Sequence, residues 1–304
     1  MDINRENMDL FFRGLQNSFR GALKTQMPFD TRKVSTLVNS STAVEDYTWL
    51  GESDEMREWI GSRVIKQLAS FDYSIKNRKF ELTLKANRDD LEDDRIGIYS
   101  TRAQLMGEAA ALWEPRLVAD TLAAGASTAC YDGQYYFDTD HPVGKDGDVS
   151  SVSNKRGGSD REPFYMMDLS RTIKPILFQQ RRGLTFDQIT DTSSEHVFKF
   201  AEFLYGVDAR GAGGYSFWQL AMSSQTGLTD AQLIAELLAM RTAMRAYEND
   251  EGRLLGVNPR SLVIGPSNQD QFERVLKTQF LDYQAGAPNL VYNAFELIVV
   301  PFLP

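Results

Sequence analysis

Hydrophobic residues in this sequence change their spacing several times, from helical to strand-like and back. Between Met8 and Leu23 they recur at steps of three and four residues, which predicts an amphipathic helix. Between Tyr73 and Ala86 apolar and polar residues alternate, which is typical of β-strands. Because the helical and strand-like segments do not follow a regular βαβ order, we predict the α+β class rather than a Rossmann or barrel fold.

The first predicted helix carries Phe11, Phe12 and Phe19 on its apolar face. A helix near a chain end needs a partner surface for such a stripe. That surface can belong to the same domain or to a neighbouring subunit, and the sequence is compatible with both.

The alternating segment predicts a β-hairpin, with Asn77 and Arg78 in the turn. Its flanks are highly charged, and a two-stranded hairpin is only marginally stable alone in water. We therefore expect the hairpin to project and to be stabilised by another surface, with Tyr73 and Phe80 forming its apolar edge.

Two tryptophans, Trp49 and Trp59, lie close to the charged residues Arg57, Glu58 and Arg63. Such a group suits a buried core corner or the anchor of an interface, and buried tryptophan is the commoner case. Structural packing is the favoured interpretation. The charged side chains beside Trp59 are candidates for contact with a neighbour.

The rest of the chain, from about residue 100 onward, mixes helices and strands. A long helix is predicted from Leu105 to Leu122, with a kink or a restart at Pro115. A capping box at Thr229 and Gln232 predicts the start of a later helix. The predicted strands are 164–167, 176–178, 197–205 and 215–221 (these two joined by a glycine-rich turn at 208–214), 262–264 and 295–300.

Composition excludes several classes of protein. The 304 residues include 33 Lys and Arg against 42 Asp and Glu, a formal net charge of −9, whereas a nucleic-acid-gripping surface needs a surplus of basic residues. The single cysteine permits no internal disulfide and indicates a reducing compartment. Neither a membrane-spanning run nor a signal peptide is recognisable, so we expect a soluble protein without a membrane partner.

The densest group of potentially reactive residues is Asp132, Asp138, Asp140 and His141. Its spacing does not fit a calcium loop, and aspartates often bond their own backbone in turns, so turn capping is favoured over metal ligation. A nucleophile pair of Cys130 with His141 is conceivable, but a lone cysteine beside apolar residues is usually inert. Phosphate-loop and nucleophile-elbow motifs are absent. We predict no catalytic residues, metal or cofactor, and no enzyme.

Five groups of residues, taken together in order, carry a resemblance. They are YTWLG at 47–51, REWIG at 57–61, YDGQYYFD at 131–138 with DHPV at 140–143, KP at 174–175 with FQ at 178–179, and GVDAR at 206–210 leading to GYSFWQ at 214–219. With them the chain resembles the Mu-like bacteriophage major head subunit family over essentially its whole length. Tyr136 and Ser216 are small departures, standing where Phe and Gly are expected.

The resemblance implies the Hong Kong 97 type capsid fold and a major capsid subunit of a tailed phage. Such subunits would assemble as hexamers and pentamers into an icosahedral head around double-stranded DNA. The implied division is an N-terminal arm at 1–46, an extended hairpin loop at 47–92, a peripheral domain at 93–223 and an axial domain at 224–304. The peripheral domain would hold a spine helix at about 100–124 and sheet strands at about 163–223. Because the helix-rich axial segment comes last here, we predict a rearranged connectivity within the same shape.

The implied partners are other copies, a scaffolding protein, a maturation protease, the portal and packaged DNA bound without sequence specificity. The protein would reside in the virion, and in the host cytoplasm during assembly. An encapsulin-like cargo shell with the same fold is one alternative, and a metal-dependent enzyme using Asp138, Asp140 and His141 is another. The candidates for contact between subunits are Phe11, Phe12, Phe19, Trp49, Arg57, Glu58, Trp59, Arg63, Tyr73, Asn77, Arg78 and Phe80.

Overall fold

The computed structural model describes residues 2–25, 29–48, 50, 73–93, 95–145, 148–158, 161–227, 229–281 and 286–304. Its helices are α1 (Arg5–Thr25), α2 (Arg88–Glu92), α3 (Ile96–Ala111), α4 (Trp113–Ala123), α5 (Glu195–Phe200), α6 (Asp230–Arg245) and α7 (Gln269–Lys277). Its strands are β1 (Ser35–Asn39), β2 (Val44–Asp46), β3 (Ser74–Lys76), β4 (Arg78–Asn87), β5 (His141–Lys145), β6 (Asp148–Val152), β7 (Lys155–Arg156), β8 (Phe164–Met167), β9 (Ile176–Ile189), β10 (Glu202–Tyr215), β11 (Ala221–Ser224), β12 (Ser261–Ile264) and β13 (Glu296–Val299).

Two larger sheets organise these elements. The four-stranded sheet has the order β1-β9-β10-β4, with β1 parallel to β9 and the other neighbours antiparallel. The five-stranded sheet has the order β13-β12-β8-β11-β7. Two short ribbons, β2-β3 and β5-β6, complete the described strands. This mixture of helices and mixed sheets confirms the α+β class. Among the described residues, no helix is long and apolar enough to cross a membrane.

The predicted first helix is confirmed as α1, and its apolar stripe is buried within the same chain. Phe12 packs on Tyr205 of β10 with ring centroids 4.1 Å apart, and Phe11 meets Tyr99 of α3 at 6.0 Å. α1 and α3 approach closely at Gly107, where an added Cβ would lie 2.3 Å from the carbonyl oxygen of Phe19. Both helices therefore cover one face of the four-stranded sheet.

The predicted hairpin at 73–86 is wrong. β3 pairs with β2, and β4 pairs with β10 more than one hundred residues further along the chain. Asn77 joins β3 to β4 and is only 7% exposed, so it is not at an exposed turn. Alternation identified both strands correctly, but a period of two does not specify which strand is the partner.

The glycine-rich turn predicted at 208–214 is also wrong, because β10 runs unbroken through it. The glycines leave room for neighbouring groups: an added Cβ at Gly213 would lie 1.8 Å from Thr121 Oγ1 on α4. At Gly211 it would lie 2.6 Å from the carbonyl oxygen of Gln179. Before β10, the residues expected to begin a strand form α5 instead, with the Ser194 side chain accepting a hydrogen bond from Val197 N–H as the N-cap.

The break in the predicted long helix is confirmed. α3 ends at Ala111 and α4 begins at Trp113, which places Pro115 in the first turn of α4. The predicted capping box is also present, because Thr229 and Gln232 bond each other's backbone N–H groups at the start of α6.

α6 and α7 pack on the five-stranded sheet, where Phe164 of β8 meets Phe272 of α7 with centroids 5.0 Å apart. β8 and β11 lie in this sheet beside β12 and β13. The strands predicted within 163–223 are therefore divided between two sheets. The predicted boundary at 223 falls inside β11, since that strand ends at Ser224.

Candidate assembly surfaces and a buried histidine cluster

Seven of the twelve candidate contact residues lie in the described part of the chain. Trp49, Arg57, Glu58, Trp59 and Arg63 lie outside the described residues. The three candidates on α1, namely Phe11, Phe12 and Phe19, are buried against the chain's own sheet and α3. Within one chain, the apolar surface of these three residues is therefore covered by other parts of the same chain.

Tyr73 and Asn77 take part in a buried polar network that joins the β2-β3 ribbon to the four-stranded sheet. The fully buried Gln179 of β9 donates from Nε2 to Asn77 Oδ1 at 2.9 Å and accepts from the hydroxyl of Tyr47 at 2.7 Å. The Tyr73 hydroxyl accepts from Tyr215 N–H at 2.9 Å. Burial, together with the charge of Glu45, raises the pKa of Tyr47 to about 12. Burial also raises the pKa of Tyr73, so both hydroxyls stay protonated and can keep these hydrogen bonds at the base of the ribbon.

Arg78 and Phe80 lie on β4, the edge strand of the four-stranded sheet. The Arg78 guanidinium lies over the Phe80 ring at 5.4 Å, and that half-buried ring contacts Trp113 of α4 at 5.5 Å. Of the seven described candidates, Arg78 is the one whose side chain is exposed.

One member of the acidic group singled out in the sequence, Asp132, contacts a fully buried histidine, whereas Asp140 is exposed. His141 Nδ1 lies 2.6 Å from Asp132 Oδ2, and the thiol of Cys130 donates to Asp132 Oδ1 at 3.0 Å. The imidazole stacks on the indole of Trp218 with centroids 4.1 Å apart and planes 11° from parallel. Sequence reasoning identified Asp132 and His141, but it had no signal for Trp218, which is far away along the chain.

The orientation of Asn154 shows where the imidazole protons are. Asn154 Nδ2 donates to the carbonyls of Tyr136 at 2.8 Å and Ala221 at 3.2 Å, while Oδ1 accepts from Asp138 N–H at 2.9 Å. Flipping the amide would break these bonds. Oδ1 therefore faces His141 Nε2 at 3.2 Å, and Nε2 must carry a hydrogen.

The neighbours of Asp132 favour its ionised form. Burial by itself raises the pKa of Asp132, but hydrogen bonds from His141 and Cys130 reverse this, so the net pKa of Asp132 is lowered. The Asp132 carboxylate thus accepts from the Cys130 thiol and from Gln134 N–H and pairs with the His141 ring. A buried carboxylate of this kind is stable only when its oxygens are bonded, as they are here.

Turn capping by the aspartates is observed as well. Asp132 accepts from Gln134 N–H at 3.1 Å, and Asp138 accepts from Tyr135 N–H at 3.2 Å. The potential ligand atoms of Cys130, Asp132 and His141 all lie within 4.8 Å of one another, which is close enough for a metal site. Each of these atoms is already hydrogen-bonded to another member of the cluster, so the arrangement is complete as a structural crosslink.

A cavity of about 490 Å³ opens beside this cluster. Trp218, Tyr131 and Ile173 supply apolar wall, and Asp132 and Arg171 supply polar groups. Of the cluster, Asp132 lines the cavity, and its carboxylate is bonded to Cys130 and His141.

Comparisons with known proteins agree over almost the whole chain. Residues 8–303 match the family described as Mu-like prophage major head subunit gpT. The major capsid protein of Escherichia phage Mu is 36% identical over 295 residues, 95% of both chains. The Mu-like prophage FluMu major head subunit of Haemophilus influenzae is 38% identical over 275 residues, 88% of both chains.

Comparison with solved structures also indicates a phage capsid protein. A chain of the bacteriophage JBD30 procapsid has a TM-score of 0.83 at 35% identity, covering 99% of this chain and 100% of that one. The fold is thus that of Hong Kong 97 type phage capsid proteins. The chain belongs to the Mu-like phage major head subunit family, whose members are structural proteins of the virion.

Proposed function

We propose that copies of this chain assemble as hexamers and pentamers into the closed head of a tailed phage and enclose double-stranded DNA. The observation that carries this is the full-length similarity to a chain of a phage procapsid, at a TM-score of 0.83. The role is structural, since the one dense cluster of reactive side chains in the described chain is internally bonded. The family match favours this over an encapsulin-like cargo shell.

The extended loop predicted at 47–92 is better placed between the two strands of the β2-β3 ribbon. Tyr47 N–H donates to the Tyr73 carbonyl at 2.8 Å, so the two chain segments meet there. Residues beyond β3 belong to β4 and the sheet. We therefore assign the loop to 47–73, which includes Trp49, Arg57, Glu58, Trp59 and Arg63 as contacts with a neighbouring subunit.

The remaining divisions follow the two sheets. The four-stranded sheet with α1, α3 and α4 corresponds to a peripheral region, and the five-stranded sheet with α6 and α7 corresponds to an axial region. The N-terminal arm at 1–46 includes α1, which packs on α3. This division supports the rearranged connectivity, because β8 precedes β9 and β10 while β11 and β12 follow them.

A scaffolding protein, a maturation protease and the portal are proposed partners during assembly in the host cytoplasm. The net charge of −9 suits a container from which DNA must later be released.

Induction of the phage, followed by particle purification and negative-stain imaging, tests the proposed function. We expect closed heads containing this chain as the most abundant protein, with nuclease-protected DNA inside. Shells containing a cargo enzyme and no DNA would favour the encapsulin-like alternative. A purely monomeric protein under all conditions would contradict the proposal.

A further inference from the structure

Basic charge is concentrated on one pair of helices. Residues 10–25 and 95–107 together contain five cationic residues and no acidic ones, and the remaining residues of α1 and α3 add Arg5 against Glu6, Asp9 and Glu108, so the two helices are net basic in a chain with a net charge of −9. The first segment belongs to α1 and the second to α3 with its preceding residue. Since the two helices cover the same face of the four-stranded sheet, their outer faces form one surface, which we call the α1–α3 platform.

The platform also exposes large apolar side chains. On α3, Ile98 and Leu105 are 59% and 57% exposed, with the exposed Arg102 between them on the same helical face. On α1, Leu10 is 59% exposed and lies on the same face as Arg13. Exposed apolar residues interleaved with cations are typical of a protein-binding surface.

A second exposed surface has the opposite charge. The end of the β9-β10 pair, residues 187–202, contains four acidic residues against one lysine, and we call it the β9–β10 tip. Its α5 exposes Phe198 by 86% and Phe200 by 61%, and Ile189 nearby is 43% exposed. Lys199 pairs with Glu195 at 2.5 Å and Lys85 of β4 pairs with Glu202 at 2.8 Å, which leaves Asp187 and Asp191 to give the tip its negative charge.

We propose that the β9–β10 tip of one copy docks on the α1–α3 platform of a neighbouring copy. This inference rests on the proposed function, because it adds one specific contact to the assembly of the shell. The two surfaces match in both respects: each exposes isolated large apolar side chains, and their charges are of opposite sign. Phe198 is the apolar anchor, since a phenylalanine this exposed contributes little to its own chain and much to an interface.

DNA is the other polyanion that a basic platform could meet. Phosphate contacts use cationic and polar side chains and gain nothing from exposed Leu10, Ile98 and Leu105. The tip of a second copy accounts for both the charges and the apolar residues. Because the contact joins two different surfaces, it is heterologous, and repetition around an axis closes a ring of copies.

A charge exchange tests the contact. Arg13→Glu with Arg102→Glu reverses the platform, and Asp187→Lys with Glu195→Lys reverses the tip. We expect each pair alone to lower the yield of closed particles by about tenfold or more, because like charges then face each other at every copy of the contact. The chain carrying all four substitutions restores the opposite signs and should recover most of the yield.

Arg260→Glu, at an exposed position beside β12, is the control for a change of charge alone and should assemble normally. Circular dichroism and thermal unfolding of the unassembled variants show whether they fold. Phe198→Ser supplies a second test that reverses no charge, and it should also reduce closure while leaving unfolding unchanged.

Several results would overturn the contact. The first is a normal yield of closed particles from either charge-reversed pair or from Phe198→Ser. The second is a low yield from the chain with all four substitutions although every variant folds. The third is a reversed platform that gives closed particles at normal yield but packages less DNA. If the unaltered chain itself forms no shells in the same assay, the proposed function fails instead.

Discussion

The α1 region and the His141 region are both buried, but different forces hold them. α1 is held by an aromatic cluster with Phe12 against Tyr205, which needs only shape and apolar area. His141 is held by a carboxylate, an amide and an indole, each of which must lie at the right distance and angle. Apolar burial tolerates approximate geometry, whereas a buried polar network is stable only when it is complete.

The largest effect is expected from Phe12→Ala, which leaves a cavity under α1. Burial of the ring predicts a loss of about 3–5 kcal/mol in the free energy of unfolding. Urea unfolding of the unassembled chain measures it. Leu10→Ala on the same helix is the matched control, since Leu10 is 59% exposed and should cost under about 0.5 kcal/mol. Equal losses would mean that α1 does not pack as described.

His141→Ala should cost nearly as much, about 3 kcal/mol, because the Asp132 carboxylate is then left buried without its hydrogen-bond partner. Thermal unfolding measures the loss. The matched control is His196→Ala, since His196 has no charge pair in the described chain and its substitution should cost less. A smaller effect at His141 than at His196 would contradict the described contact between Asp132 and His141.

The same pair predicts a dependence on acid. The folded-state pKa of Asp132 lies below its unfolded value, so its contribution to stability is present above that unfolded value, 3.8, and is lost as pH falls further. Asp132→Asn should therefore flatten the decline of the unfolding free energy below about pH 4. An unchanged acid profile in the variant would show that Asp132 is not the ionised partner.

Gly213→Ala should cost about 1–3 kcal/mol, because its Cβ would overlap Thr121. Thr121 Oγ1 donates to the Leu117 carbonyl at 2.7 Å and cannot move away freely. Gly158→Ala, where no atom lies within 4 Å of the new Cβ, is the control. If the two variants unfold alike in urea, α4 does not approach β10 as closely as described.

The smallest effect on folding is expected at the loop between β2 and β3. Because we propose that Arg57 contacts a neighbouring subunit, Arg57→Glu should weaken assembly while leaving the melting temperature of the unassembled chain nearly unchanged. Comparing particle yield with thermal unfolding separates the two effects. An equal loss of melting temperature would indicate an internal role for Arg57.

Sequence predicted the elements whose signals are local. The stripe of α1, the restart of the long helix at Pro115 and the capping box at Thr229 depend on residues within a few positions of each other. The partner of β4 could not be predicted, because Asn87 pairs with Glu202 far along the chain. The glycines of β10 indicated a turn, and only the approach of Thr121 explains them as strand residues.

Only those members of the His141 cluster that lie close together in the sequence could be predicted. Asp132 and His141 lie close together in the sequence and attracted attention as reactive types. Their roles depend on Asn154 and Trp218, which the fold brings to the imidazole. Without those partners, residue types alone left turn capping, metal ligation and nucleophilic chemistry open.

Single-particle electron microscopy of the assembled head tests the central claim, that this subunit closes a shell by self-association. We expect a closed shell in which every subunit shows the four-stranded and five-stranded sheets described here. In that shell the β9–β10 tip of one copy should cover the α1–α3 platform of the next. A shell built from another protein, or one in which this platform faces open solvent in every copy, would contradict the account.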